Sequence, residues 1–165
     1  MQTIAMTPIG TVRNQIGAKK EDFWGDSEST IEIDPIGFTP EALAGLSEFS
    51  HIEVLFHFHN IPEERIVRSQ RHPRENPNWP RVGIFAQRGK ARPNRMGATI
   101  CRLLSIDGLR VRVSALDAFD GTPVLDLKPV MAEFVPEKSQ IRQPAWSREL
   151  MASYFAVEKP PTGRN

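Results

Sequence analysis

The sequence predicts a mainly β fold, a small β-barrel with a few short helices. Three observations carry this. Seven strand-like runs follow one another with little helical periodicity between them. The 14 prolines and 11 glycines are scattered, which suits many short elements joined by turns. Two Asp-Gly pairs, at 107–108 and 120–121, stand where antiparallel strands need reversals.

The elements follow in order. TPIGTVRN supplies a first strand, and STIEIDP a second, with Ile31 and Ile33 alternating against Thr30 and Glu32. TPEALAG predicts one short helical turn, with Thr39 as N-cap, Pro40 first and Gly45 after the end. HIEVLFHFH alternates, with Ile52, Val54, Phe56 and Phe58 toward the core and His51, Glu53, Leu55, His57 and His59 away from it. RVGIFAQ, ATICRLLSIDG, LRVRVSALDA and PVLDLKPV complete the strands. Residues 145–157 place Trp146, Leu150, Tyr154 and Val157 on one helical face. The expected division is a barrel domain over 1–140 and a C-terminal helix with a frayed tail, PPTGRN, over 141–165.

A chain of 165 residues suffices for one domain with a real core. The single cysteine, Cys101, forms no internal disulfide and fits a reducing compartment. No apolar run is long enough to cross a membrane as a helix. The opening MQTIAMTPIG lacks the basic and apolar regions of a signal peptide, so a cytoplasmic protein is expected.

The net charge of +1 hides a segregation. Residues 21–64 hold eleven Asp or Glu and no Lys or Arg, whereas residues 65–95 hold nine Lys or Arg and one acid, Glu75. Such a basic stretch is either a solvated face or a patch for a polyanion. Within it, QRGKARPNRMG has neither the Walker spacing nor the spaced Rossmann glycines, but its Arg forks and backbone amides suit a carboxylate or a phosphate. Upstream, Arg68, Arg71, Arg74 and Arg81 surround Trp79, a mixture that suits nucleic acid or an ordinary Arg-rich loop. Asp117, Asp120 and Asp126 crowd LDAFDGTPVLDLKP. Carboxylates there can serve turns, or hold a hydroxyl pair or an amino group. His51, His57 and His59 with Glu53 leave a zinc or iron site open, and with it a metal-dependent barrel enzyme.

Four stretches in this order, PIGTVRN, LSEFSHIEVLFHFH, RHPRENPNWPRVGIFAQRGKARPNRMG and LDAFDGTPVLDLKP, resemble the TsaA/TrmO family across residues 6–131. That family comprises β-barrel tRNA methyltransferases dependent on S-adenosyl-L-methionine. The resemblance implies a homodimer with tRNA as partner and no membrane association. It implies methylation of the exocyclic nitrogen of threonylcarbamoyl-adenosine beside the anticodon. By position, Asn14, Gln15, Phe58, His59, Arg88, Ala98, Asp117, Ala118, Phe119 and Asp120 would line the cofactor site. His59 and Asp120 are the candidate catalytic groups, and Arg68, Arg71, Arg74 and Arg81 would meet tRNA phosphates from the rim. The basic loop departs from the family's usual Thr-Arg-Ser-Pro and Arg-Pro-Asn-Pro-Ile-Gly, reading Gln87-Arg88-Gly89-Lys90 and Arg92-Pro93-Asn94-Arg95-Met96-Gly97. Another RNA or a small molecule therefore stays open as the methyl acceptor.

Overall fold

A computed structural model describes residues 2–17 and 20–158. The expected tail PPTGRN lies outside the described residues. Eight strands form, β1 (Gly10–Arg13), β2 (Glu28–Ile33), β3 (His51–His57), β4 (Gln70–Arg71), β5 (Val82–Gly83), β6 (Met96–Asp107), β7 (Arg110–Ser114) and β8 (Pro123–Pro129). Six of them close an antiparallel barrel in the order β1-β2-β7-β6-β3-β8. β4 and β5 pair separately as a small ribbon. The expected mainly β barrel is what forms.

Alternation explains the core. Val12, Ile31, Ile33, Ile52, Val54, Phe56, Cys101, Val111, Val113 and Val124 point inward from the six barrel strands, and Leu116 and Ala118 plug one end. Phe56 is the largest of the fully buried side chains. Its cross-strand partner is Gly97, and a Cβ there would stand 2.4 Å from two Phe56 ring atoms. The glycine makes the room that the ring fills.

Four sequence expectations are corrected. RVGIFAQ is not a full strand: only Val82–Gly83 pairs, and Ile84–Ala86 turns as a 3₁₀ segment. The place beside β3 is already taken by β6, so this segment stays outside the barrel. There the Gln87 amide anchors it by donating to the carbonyls of Arg71 and Val82. The β6–β7 hairpin reverses at Gly108–Leu109, because Asp107 pairs with Arg110, and Gly108 takes φ +55°. Phe58 and His59 lie beyond the end of β3 rather than on it. Finally, helix α1 spans only Ala145–Met151. Past it the carbonyls of Ser153 and Tyr154 accept from the Phe23 and Trp24 amides, bonds that a continuing helix would not leave free. Val157 is accordingly exposed. The turn at Pro40–Leu43 forms as a 3₁₀ helix, with Thr39 at its N-cap and Gly45 at φ +78° just beyond.

Replacing Gly97 with Ala should overpack the core against Phe56. A loss of about 1–3 kcal/mol in chemical denaturation is expected. Gly97→Ala combined with Phe56→Leu should recover part of it.

Candidate functional site

The antiparallel order sends three long connections to one mouth of the barrel. These are residues 14–27 between β1 and β2, 58–95 between β3 and β6, and 115–122 between β7 and β8. The opposite mouth carries the connection 34–50 and the tight β6–β7 turn. Every expected cofactor residue but one belongs to the first mouth's loops, and Ala98 stands in β6 two residues after it begins. All five non-glycine residues with positive φ among the described residues, Phe23, Arg74, Glu75, Arg95 and Ala115, also lie in those loops. Strained backbone of this kind concentrates where a site overrides local preference.

The loops are joined by specific bonds. The Asn14 side-chain amide donates to Ser29 Oγ and to the Ala118 carbonyl, each at 2.9 Å. Its backbone N–H donates to Asp120 Oδ1 at 3.1 Å. Asn14 thus ties β1 to the Asp turn. Gly121 takes φ +77° in that turn, and a Cβ there would come within 4.0 Å of His59 Nε2. The two candidate catalytic groups, His59 and Asp120, therefore flank one turn. Phe58 packs edge-on against Phe56 at 5.2 Å, and its N–H donates to the Arg95 carbonyl. Gln15 lies next to Asn14 and is exposed. Phe119 meets Trp24 at 5.7 Å between ring centroids.

Asp117 has a defined environment. One oxygen accepts from the Thr99 hydroxyl and the other from the Tyr154 hydroxyl at 2.5 Å. Burial first, and then the Asp117 charge, push the Tyr154 phenol well above its ordinary value, so it stays a proton donor. Thr99, Tyr154 and Trp24 are the residues that sequence reasoning missed. Tyr154 is read there only as part of a helical face, and nothing local indicates that it meets a carboxylate 37 positions away.

The arginines divide in an unexpected way. Arg88 donates to the Ala98 carbonyl, Arg92 to Gln87 and Arg95 to Ile61, so the basic loop is stitched by its own guanidiniums. Arg74, expected at the rim for phosphate, gives both terminal nitrogens to Asp22 at 2.8 Å and stands over the Tyr154 ring at 5.7 Å. Arg68 meets Glu63 in an exposed pair, and Arg81 reaches the Gln70 carbonyl at 3.3 Å. Exposed pairs of that kind are worth little and exchange readily. Arg71 lies beside Gly89, and among the described residues its buried Nε has no hydrogen-bond partner. The buried Trp24 Nε1 lacks one as well.

The histidines do not converge on a metal. His51 and His57 are six residues apart on one strand, about 20 Å at ~3.3 Å per residue. His51 Nδ1 bonds the Ser50 hydroxyl. Among the described residues, no three His, Cys, Asp or Glu side chains are grouped to hold a metal ion. The alternative built on His51, His57 and His59 fails on this geometry.

Comparison with known proteins identifies the family. The sequence profile of the tRNA-methyltransferase O N-terminal domain matches residues 17–135. The chain belongs to the TrmO family. It is 38% identical over 127 residues to the tRNA (adenine(37)-N6)-methyltransferase of Escherichia coli, covering 72% of this chain and 54% of that one. It is 34% identical over 137 residues to a probable S-adenosyl-L-methionine-binding protein of Pyrococcus abyssi, covering 79% and 70%. A crystal structure of TrmO from Pseudomonas aeruginosa superposes with a TM-score of 0.69 at 28% identity, over 88% of this chain and 62% of that one. The chain thus spans little more than half of several relatives that it matches. No helix among the described residues is long and apolar enough to cross a membrane.

His57 offers a direct test of the mouth's electrostatics. Partial burial first, then the charges of Arg95 and His59, hold its imidazole below the ordinary 6.5. The unfolded chain therefore takes this proton before the folded one does. Stability should fall as pH drops through about 6.5. His57→Gln should flatten that fall, read from urea titrations at several pH values between 7.5 and 5.

Proposed function

We propose that the protein is a methyltransferase that uses S-adenosyl-L-methionine to methylate the exocyclic nitrogen of threonylcarbamoyl-adenosine beside the anticodon of tRNA. The observation that carries this reading is the convergence at one barrel mouth of the Asn14–Asp120 tie, the hydroxyl-bound Asp117, His59 and the basic loop. The names of the Escherichia coli and Pyrococcus abyssi relatives support it.

The residues present fit the cofactor chemically. Its ammonium and ribose diol call for acceptors, and Asp117 and Asp120 supply them. Its carboxylate calls for donors, and Arg88, which meets the Ala98 carbonyl, is assigned to it. Its adenine calls for apolar and aromatic walls such as Phe58 and Phe119. When bound, it supplies an electrophilic methyl on a sulfonium. The chain's part is alignment and the exclusion of water, which together account for much of such a transfer. In this reading His59 and Asp120, which flank the Gly121 turn, take the proton from the acceptor nitrogen.

The acidic and basic stretches have separate parts in this reading. Arg68 and Arg81, bound only by exchangeable partners, meet tRNA phosphates together with Arg71. Arg74 holds the loop in place through Asp22. The working form is a cytoplasmic homodimer. Light scattering should give twice the 18.6 kDa chain mass.

Two measurements test the reading. Metal-stripped protein should bind S-adenosyl-L-methionine in calorimetry, and tRNA from cells lacking the protein should lose one methyl from threonylcarbamoyl-adenosine by mass spectrometry. Unchanged tRNA alongside intact cofactor binding would point instead to another RNA or a small molecule. Replacing Arg68 and Arg81 with Ala should flatten the salt dependence of tRNA binding by roughly one log unit per lost phosphate contact. It should leave cofactor affinity unchanged.

A further inference from the structure

We infer that Tyr154 is a positioning residue: its hydroxyl, with that of Thr99, fixes the Asp117 carboxylate at the mouth, so that a C-terminal segment outside the family domain sets cofactor affinity. This rests on the assignment of Asp117 to the cofactor.

The chain leaves β8 at the opposite mouth and returns beyond residue 130 to dock its C-terminal segment at the functional one. The family match ends at residue 135, so the docked segment lies beyond the matched domain. Several contacts pin it. Phe23 N–H donates to the Ser153 carbonyl at 3.0 Å and Trp24 N–H to that of Tyr154 at 2.8 Å. Gly25 lies so close to Phe155 that a Cβ would stand 2.2 Å from its carbonyl oxygen. Trp79 Nε1 donates to Glu149 at 2.8 Å.

Those contacts deliver one hydroxyl to one carboxylate. Asp117 Oδ2 accepts from Tyr154 at 2.5 Å while Oδ1 accepts from Thr99. Among the described residues, no Lys, Arg or His forms an ion pair with Asp117. A carboxylate oriented by two neutral donors has its remaining lone pairs free for a cationic or hydroxylated ligand. The Tyr154 ring is steadied by Arg74, which Asp22 locks in turn. Asp22, Arg74, Tyr154, Asp117 and Thr99 thus form one chain of contacts from the basic loop to the cofactor mouth.

Tyr154→Phe keeps the ring, and with it the Arg74 contact, and removes only the hydroxyl. It should weaken S-adenosyl-L-methionine binding about tenfold in calorimetry, the scale of a hydrogen bond to a charged group. The cofactor KM should rise by the same factor, with kcat at saturation held within twofold. Glu149→Ala, elsewhere on the segment, which releases Trp79 of the basic loop, should leave affinity within twofold. In an Asp117→Asn background, Tyr154→Phe should cost nothing further. Parent-like binding by Tyr154→Phe while Asp117→Asn binds poorly overturns the role of Tyr154 alone. Equal weakening by Glu149→Ala and Tyr154→Phe also overturns it, since the effect is then general loosening. Parent-like binding by Asp117→Asn removes Asp117 from the cofactor site, and this inference with it.

Discussion

The barrel closes where β1 meets β8, and the site depends on that seam. Gly10 pairs with Val124 and Thr11 with Pro123, and bonds from Ile9, Val12 and Gly121 extend the contact at both ends. The pairing joins the first strand of the barrel to its last, more than 110 positions away. Its consequence is local: Asn14, one step past β1, lands beside Asp120, just before β8. Without the seam, the Asp turn and the N-terminal loop are two unrelated surface turns. Closure also leaves none of the six strands with an open edge, so the mouths are the places where long loops collect.

Charge at the functional mouth is organised rather than merely accumulated. Nine cations within 65–95 read either as a solvated face or as a patch for a polyanion. Several of them are instead occupied by backbone carbonyls, and Arg74 by Asp22, a residue of the acidic stretch. The loop buries only a few apolar side chains, Ile61, Pro73, Ile84 and Ala91, and guanidinium-to-carbonyl bonds add to what they hold. Asp22 also favours the charged form of Arg74 by hydrogen bonding directly to it. The acidic and basic stretches therefore hold part of each other in place, and only the more weakly held arginines remain for a ligand.

Much of the barrel was legible from alternation. β2 and β3 follow runs whose inward residues alternation names, Ile31 and Ile33, then Ile52, Val54 and Phe56, while β6, β7 and β8 overlap runs read simply as strands. RVGIFAQ misled because its apolar residues suit a strand equally well as a buried 3₁₀ turn, and only the occupied edge of β3 decides between them. The C-terminal helix ran short for a related reason, since distant amide donors at Phe23 and Trp24 compete for its last carbonyls. The His face shows the reverse limit. Spacing of two along a strand shows which side chains share a face, but says nothing of convergence, and His51 and His57 stand at opposite ends of β3.

By itself the sequence determined the mainly β class, the faces of β2 and β3, and the turns at Gly108 and Gly121. These are properties of neighbours a few residues apart, which periodicity and turn chemistry express directly. The tertiary structure alone decided that Asn14 meets Asp120, that Arg74 belongs to Asp22, and that Tyr154 and Thr99 share Asp117. Such pairs are set by barrel closure and by the return of the C-terminal segment. A hydrogen bond between residues so far apart leaves no mark on the local pattern of either partner.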